Sequence, residues 1–161
     1  MRILQLHSDY IEYRPIKREI ENAEKCEKKT KRYEDIVVLF TSVEEKDTQR
    51  IAKKAVEEVK ETLEKIGAKR ILIYPYAHLS SELAKPQKAL RILKAMEEHA
   101  KKLGIETYRS PFGWCKQFSL KIKGHPLAEQ LKVITSEKIN PCVKLKFFLI
   151  LCVCITRFLI T

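Results

Sequence analysis

The sequence predicts an α/β domain in which a mixed sheet packs with two long amphipathic helices. Two apolar runs, Ile36-Val37-Val38-Leu39-Phe40 and Ile71-Leu72-Ile73-Tyr74, have the length and composition of buried strands. Each is followed by a long segment with apolar residues at helical spacing. Strand, helix, strand, helix, strand in that order implies right-handed crossovers and parallel neighbours. The alternating stretch Cys115–Lys123 adds antiparallel hairpin structure, which makes the sheet mixed.

Along the chain, Met1–His7 reads as a buried first strand ending in the polar group His7-Ser8-Asp9-Tyr10. A second extended segment is expected from about Ile11 to Ile16, with Pro15 favouring an edge. Lys17–Glu34 is highly charged and weakly periodic, so a solvated loop with some helix is expected there. Asp47 is placed to cap the first helix, whose stripe is Ile51, Ala55, Val56, Val59, Leu63 and Ile66, with Gly67 at its end. Pro86 opens the second helix, with Ala89, Leu90, Leu93, Met96, Ala100 and Leu103 inward and Gly104 terminating it. Gly124–Glu129 is expected to start a short helix, with Pro126 in its first turn.

At 161 residues, 45% hydrophobic, the chain is long enough to bury a core without staples. Its formal charge is +11, and 29 basic against 21 acidic residues leave +8 within residues 1–138. That surplus favours polyanionic partners and salt-dependent binding, although a solvated lysine-rich surface would read the same way. None of the five cysteines has CxxC spacing, which leaves zinc and thioredoxin-like chemistry unsupported; an odd number without a signal peptide points to a reducing cytoplasm. Residues 147–155 form an unbroken apolar run of nine, short of the roughly 20 a membrane helix needs.

Two blocks carry candidate chemistry. Residues 74–86, YPYAHLSSELAKP, crowd His78, Ser80, Ser81 and Glu82 into a turn at a strand's carboxyl end, where polar groups collect in α/β sites. A lone histidine there is more often structural, but exposed backbone groups in such a turn can hold a small polar ligand. Residues 111–129, PFGWCKQFSLKIKGHPLAE, put Lys116 on the same strand face as Phe118 and Leu120. On the strand alone a solvent-facing lysine, one of many in this chain, is the better reading, although its apolar neighbours on the same face single it out. Glu129 follows His125 by four residues, which would put both on one face of the expected helix. Neither a Ser-His-Asp arrangement nor a metal cluster is evident.

Together the blocks resemble the N-terminal editing domain of archaeal threonyl-tRNA synthetases, over roughly residues 1–138. Residues 139–161 lie beyond the resemblance, and because of that they are expected to be a tail of doubtful native role, a truncation or frameshift product, with a packed final strand or a membrane anchor as alternatives. The resemblance implies a D-aminoacyl-tRNA deacylase-like fold and proofreading hydrolysis of L-seryl-tRNA(Thr), assisted by the terminal ribose hydroxyl of the tRNA, with no cofactor. It makes Lys116 and His78 the residues nearest the chemistry. It also implies that Pro75 and Ala77 contact the amino acid through the main chain, that Tyr76 and Cys115 belong to the substrate-binding set, that Val43 and Phe112 lie beside the terminal adenosine, and that Glu129 holds Lys116 or the nucleotide. His7 would be structural. Cys115 departs from the family, where a tyrosine commonly precedes the lysine; a thiol nucleophile at 115 would lack an identifiable base. The implied partners are the tRNA(Thr) acceptor end, a second copy in a homodimer and the rest of a synthetase, in the cytoplasm and away from membranes. Rival readings are a D-aminoacyl-tRNA deacylase and a non-catalytic tRNA-binding module.

Overall fold

The structure is a computed structural model, and residues 1–136 are described. The tail at 139–161 lies outside them. One six-stranded sheet forms the centre, in the order β4-β3-β2-β1-β5, with β6 also paired to β1. Its strands are β1 (Arg2–Arg18), β2 (Lys31–Ser42), β3 (Arg70–Pro75), β4 (Glu106–Arg109), β5 (Trp114–Ile122) and β6 (Glu129–Val133). The helices are α1 (Gln49–Ile66) and α2 (Pro86–Lys102). β2, β3 and β4 run parallel, as the crossovers require, whereas β1 is antiparallel to β2, β5 and β6.

Alternation along β2 separates two cores. Val37 and Leu39 face α1 and α2 together with Ile71 and Ile73, while Val38 and Phe40 face the other side with Leu72 and Tyr74. The second side is also covered, because the sheet curls. β5 lies three strands from β3 in sheet order, yet Phe118 approaches Tyr74 to 5.8 Å and Phe40 to 5.5 Å between ring centroids.

Several expectations change. The first strand does not stop at His7 but continues to Arg18, through register shifts against β5 at Ser8/Tyr10 and at Pro15/Lys17. Opposite the first shift, Asp35 adopts φ 47°. Beyond this paired irregularity both strands are turned over, so Ile11, Tyr13 and Tyr33 join the same cluster as Leu6, Val38 and Phe40. The segment expected as a loop with some helix is split. Lys31–Glu34 pair with Tyr10–Tyr13, and residues 19–30 form a non-helical loop between β1 and β2.

Thr48, not Asp47, caps α1: its Oγ1 accepts the Ile51 N–H at 3.4 Å. The Asp47 carboxylate instead accepts from the Glu44 N–H and the Met1 amino group. Gly67 ends α1 at φ 68°, as its place after the stripe predicts. On α2, Ala89, Leu93, Met96 and Ala100 are buried as expected, while Ile92 takes the buried place expected of Leu90, which is only half buried. The expected short helix at 124–129 is a turn that leads into β6, because Glu129–Val133 complete the ladder with Leu6–Arg2. Among the described residues no helix is long and apolar enough to cross a membrane.

Candidate active site

The carboxyl ends of β2 and β3 lie side by side, with Thr41 paired to Pro75. Past that point the chain has no sheet to continue, and its polar groups are met locally. The Tyr76 N–H donates to Thr41 O at 2.9 Å, and the Ser42 hydroxyl donates to Tyr76 O while accepting from the Leu79 N–H. A single 3-10 turn, Ala77–Leu79, follows, and Glu82 and Ala84 return to bond the backbone at Glu45 and Val43. His78 stands exposed on this turn, edge-on to the Tyr76 ring at 5.0 Å.

β5 brings the opposite wall. Its alternation directs Trp114, Lys116 and Phe118 toward the strand ends, with Cys115 more exposed at the rim. The two walls enclose a cleft of about 660 Å³, within the range of small-molecule sites. Lys116 and His78 both line it, as do Val43, Pro75, Tyr76, Ala77, Phe112 and Cys115. Val43 and the half-buried Phe112 serve the core at the same time.

Glu129 is not brought to the cleft. It pairs with Leu6 near the start of β1, whereas Lys116 pairs with Pro15. Nine residues of extended chain between those partners correspond to about 30 Å along the strand. His7 also lies elsewhere, its Nδ1 2.8 Å from His125 Nε2.

Lys116 is the electrostatic centre of the cleft. Its Nζ donates to Pro111 O at 2.9 Å and Trp114 O at 3.1 Å, and stands 4.8 Å from the Tyr74 ring centroid. Burial lowers its pKa to about 8, against modest upward pulls from Cys115, Cys26 and Glu24. No carboxylate pairs with it among the described residues. The result is a partly desolvated ammonium with donor capacity left for a ligand.

Cys115 is poorly suited to nucleophilic attack. Its Sγ lies 2.7 Å from a Glu19 carboxylate oxygen, and that bond raises the thiol pKa, with desolvation and the Glu19 charge acting the same way. Among the described residues no group of three His, Cys, Asp or Glu side chains is placed to hold a metal ion.

Sequence reasoning missed the loop between β1 and β2. Glu19 and Ile20 line the cleft, and Ile20 closes on Gly113, where a Cβ would come within 2.7 Å of it. No local pattern in 17–34 announces this, although a glycine beside the lone tryptophan was a hint of close approach. Tyr74 and Trp114 were likewise in view as sequence but not as site residues.

Comparison with known proteins adds three findings. The family model described as the archaea-specific editing domain of threonyl-tRNA synthetase matches residues 1–134. A threonine–tRNA ligase of Nitrosopumilus maritimus is 52% identical over 138 residues, covering 85% of this chain and 22% of the ligase. One from Thermococcus kodakarensis is 45% identical over 143 residues, covering 86% and 23%. The chain thus spans under a quarter of the length of these relatives. Among solved structures, the c-Myc DNA Unwinding Element Binding Protein superposes with a TM-score of 0.64 at 10% identity, over 84% of this chain and 100% of that one. At that identity the likeness shows the fold, which is D-aminoacyl-tRNA deacylase-like.

Proposed function

The chain belongs to the archaea-specific editing-domain family of threonyl-tRNA synthetase, and on that premise we propose that its cleft hydrolyses the ester of L-seryl-tRNA(Thr). One observation carries the reading: the turn bearing His78 and the strand bearing Lys116 line a single cleft of small-ligand size. The need for a second site is energetic. Serine lacks one methyl of threonine, and a missing methyl is worth only about 1–3 kcal/mol of discrimination. A synthetic site therefore admits serine, and the wrong ester must be removed elsewhere.

In this mechanism the seryl group enters between the 75–78 turn and β5, with main-chain groups of Pro75 and Ala77 and the imidazole of His78 toward the amino acid. Tyr76 closes the same side. The terminal adenosine lies against Val43 and Phe112, where ring contact with a base is favourable. Water, oriented by the terminal ribose hydroxyl of the tRNA, attacks the ester carbonyl carbon. The Lys116 ammonium stabilises the resulting oxyanion. Collapse breaks the bond to the ribose oxygen, which takes up the proton lost by water and releases serine. With a pKa of about 8, Lys116 is about nine-tenths protonated at pH 7, as this role requires. No cofactor takes part.

The acceptor end would reach the cleft across a basic rim. Arg18 and Lys28 approach the Trp114 ring to 5.6 and 5.9 Å, and Lys17, Lys25, Lys29 and Lys31 are exposed nearby in sequence. A homodimer is part of the reading, supported by Leu131 and Val133, which are 62% and 56% exposed on the outer strand β6. The remaining partner is the rest of a threonyl-tRNA synthetase, and the setting is the cytoplasm, where charged tRNA circulates. Deacylation of L-Ser-, D-Ser- and L-Thr-tRNA(Thr) by the isolated chain tests the proposal. Turnover of the L-seryl ester with the threonyl ester spared is expected. Turnover of D-seryl-tRNA alone would mark a D-aminoacyl-tRNA deacylase, and acceptor-stem binding without hydrolysis a binding module.

A further inference from the structure

The Lys116 ammonium is held by two main-chain carbonyls, those of Pro111 and Trp114, on either side of the Phe112-Gly113 turn. Its position is therefore only as fixed as that turn. Gly113 sits at φ 80°, a conformation that does not lock itself. The turn is fastened from outside by the loop between β1 and β2, where the Glu19 N–H donates to Gly113 O at 2.9 Å and Glu24 makes three further bonds. The Glu24 carboxylate accepts the Phe112 N–H at 2.8 Å, and the Glu24 N–H donates to Phe112 O at 3.1 Å. Glu24 O accepts the Trp114 indole N–H at 2.7 Å. Glu24 thus ties the turn at Phe112, whose N–H shares a peptide with the Pro111 carbonyl, and at Trp114, which bears the other carbonyl that grips Lys116.

The Glu24 charge is felt at the Lys116 ammonium, but the carboxylate is engaged by Arg109 and does not pair with the lysine. The Arg109 guanidinium holds both Glu24 oxygens, at 2.5 and 2.9 Å, and is itself steadied by Glu97 at 2.7 Å. Burial would raise the Glu24 pKa, but Arg109 and the Phe112 N–H bring it below the ordinary value, so the carboxylate stays charged and bound.

We propose that Glu24, held by Arg109 and bonded to the main chain at Phe112 and the indole of Trp114, is a positioning residue that sets the Lys116 ammonium for ester hydrolysis. The proposal rests on the hydrolytic reading of the cleft, and its test has one arm that does not. The titratable groups around Lys116 are Glu24 and Cys26 from the loop, Cys115 on its own strand and Tyr74 from β3, with Glu19 and His78 also lining the cleft. The measurements are single-turnover hydrolysis of L-seryl-tRNA(Thr) and NMR titration of the Lys116 side chain in the free protein.

Glu24→Ala is expected to lower the rate constant by about 10- to 100-fold, the scale of a small misplacement. The half-saturating tRNA concentration should change by less than the rate constant does, since the basic rim, Val43 and the 75–78 turn are untouched. The Lys116 titration should move up from about 8 toward an ordinary lysine as the freed ammonium reaches water. Glu24→Gln keeps an acceptor for the Phe112 N–H and should recover most of the rate, with a Lys116 midpoint at or below the wild-type one. Should Glu24→Ala fail to fold cooperatively, Arg109→Lys, which breaks the two-point grip, is held to the same two readings. A folded Glu24→Ala or Arg109→Lys protein with wild-type rate and wild-type Lys116 titration overturns the proposal. If the wild-type chain hydrolyses no ester, the catalytic reading falls, and the Lys116 titration still decides whether Glu24 positions it.

Discussion

The Lys116 ammonium lies 4.8 Å from the centre of the Tyr74 ring, so a cation on β5 rests on an aromatic face supplied by β3. These strands are not neighbours in the sheet, and only its curl lets them meet. Such a contact offsets part of the cost of burying the charge, by about 0.5–2 kcal/mol. Tyr74→Phe keeps the ring and should leave hydrolysis nearly intact. Tyr74→Leu removes it and should lower the Lys116 titration midpoint further, read by NMR.

Lys116 should leave a signature in stability. Its folded pKa of about 8 lies below the 10.5 of an ordinary lysine, so between those values the unfolded chain binds more protons. Stability should therefore rise with pH across that window, and the cost of the buried charge should be present in full below it. The rise should be about 2–3 kcal/mol, allowing for partial solvent contact. Lys116→Met should lack it in denaturant unfolding measured at several pH values.

The same substitution tests the chemistry. With Lys116→Met as baseline, the hydrolysis due to the ammonium should fall as pH passes about 8. Loss of one oxyanion donor should cost about 100-fold or more near neutrality. A flat difference between the two proteins across pH 6–10 would contradict the assignment.

Cys115→Ser should hydrolyse seryl-tRNA(Thr) within about twofold of wild type, because the thiol sits at the rim with its thiolate disfavoured. Complete loss would return the thiol to consideration as a nucleophile.

Gly113→Ala should be poorly tolerated. Beyond its φ of 80°, the added carbon would meet Ile20 Cγ1 at 2.7 Å and the Ala23 backbone at 3.0 Å. A loss of about 1–3 kcal/mol in thermal or denaturant unfolding is expected. Thr48→Ala, by contrast, should cost about 1 kcal/mol and leave hydrolysis unchanged, since it removes only the α1 cap.

Binding should be salt-sensitive. Replacing Lys25, Lys28 and Lys31 with glutamine should weaken tRNA affinity and flatten the log–log salt slope by about 2. A slope unchanged by these substitutions would place the tRNA backbone elsewhere.

The sequence by itself determined the elements whose signal is local. Ile36–Phe40 and Ile71–Tyr74 are short β-rich apolar runs and form buried strands, the two apolar stripes form helices laid on them, and Pro86 and Gly67 mark helix ends by their own backbone preferences. It also put His78 and Lys116 in play, and the tertiary structure places both on one cleft. What depended on distant partners was not legible. Lys31–Glu34 become strand only because Tyr10–Tyr13 pair with them, and Glu129 joins a strand instead of a helix because β1 offers a free edge. Thr48 displaces Asp47 as cap because the Asp47 carboxylate is already engaged. Glu24 could not be recognised at all from its surroundings in the chain, since everything that gives it a role lies at residues 109–114. Short-range patterns record the conformational preferences of neighbouring residues, whereas Glu24 meets Arg109, Phe112 and Trp114, and Lys116 meets the Tyr74 ring, only once the chain has folded.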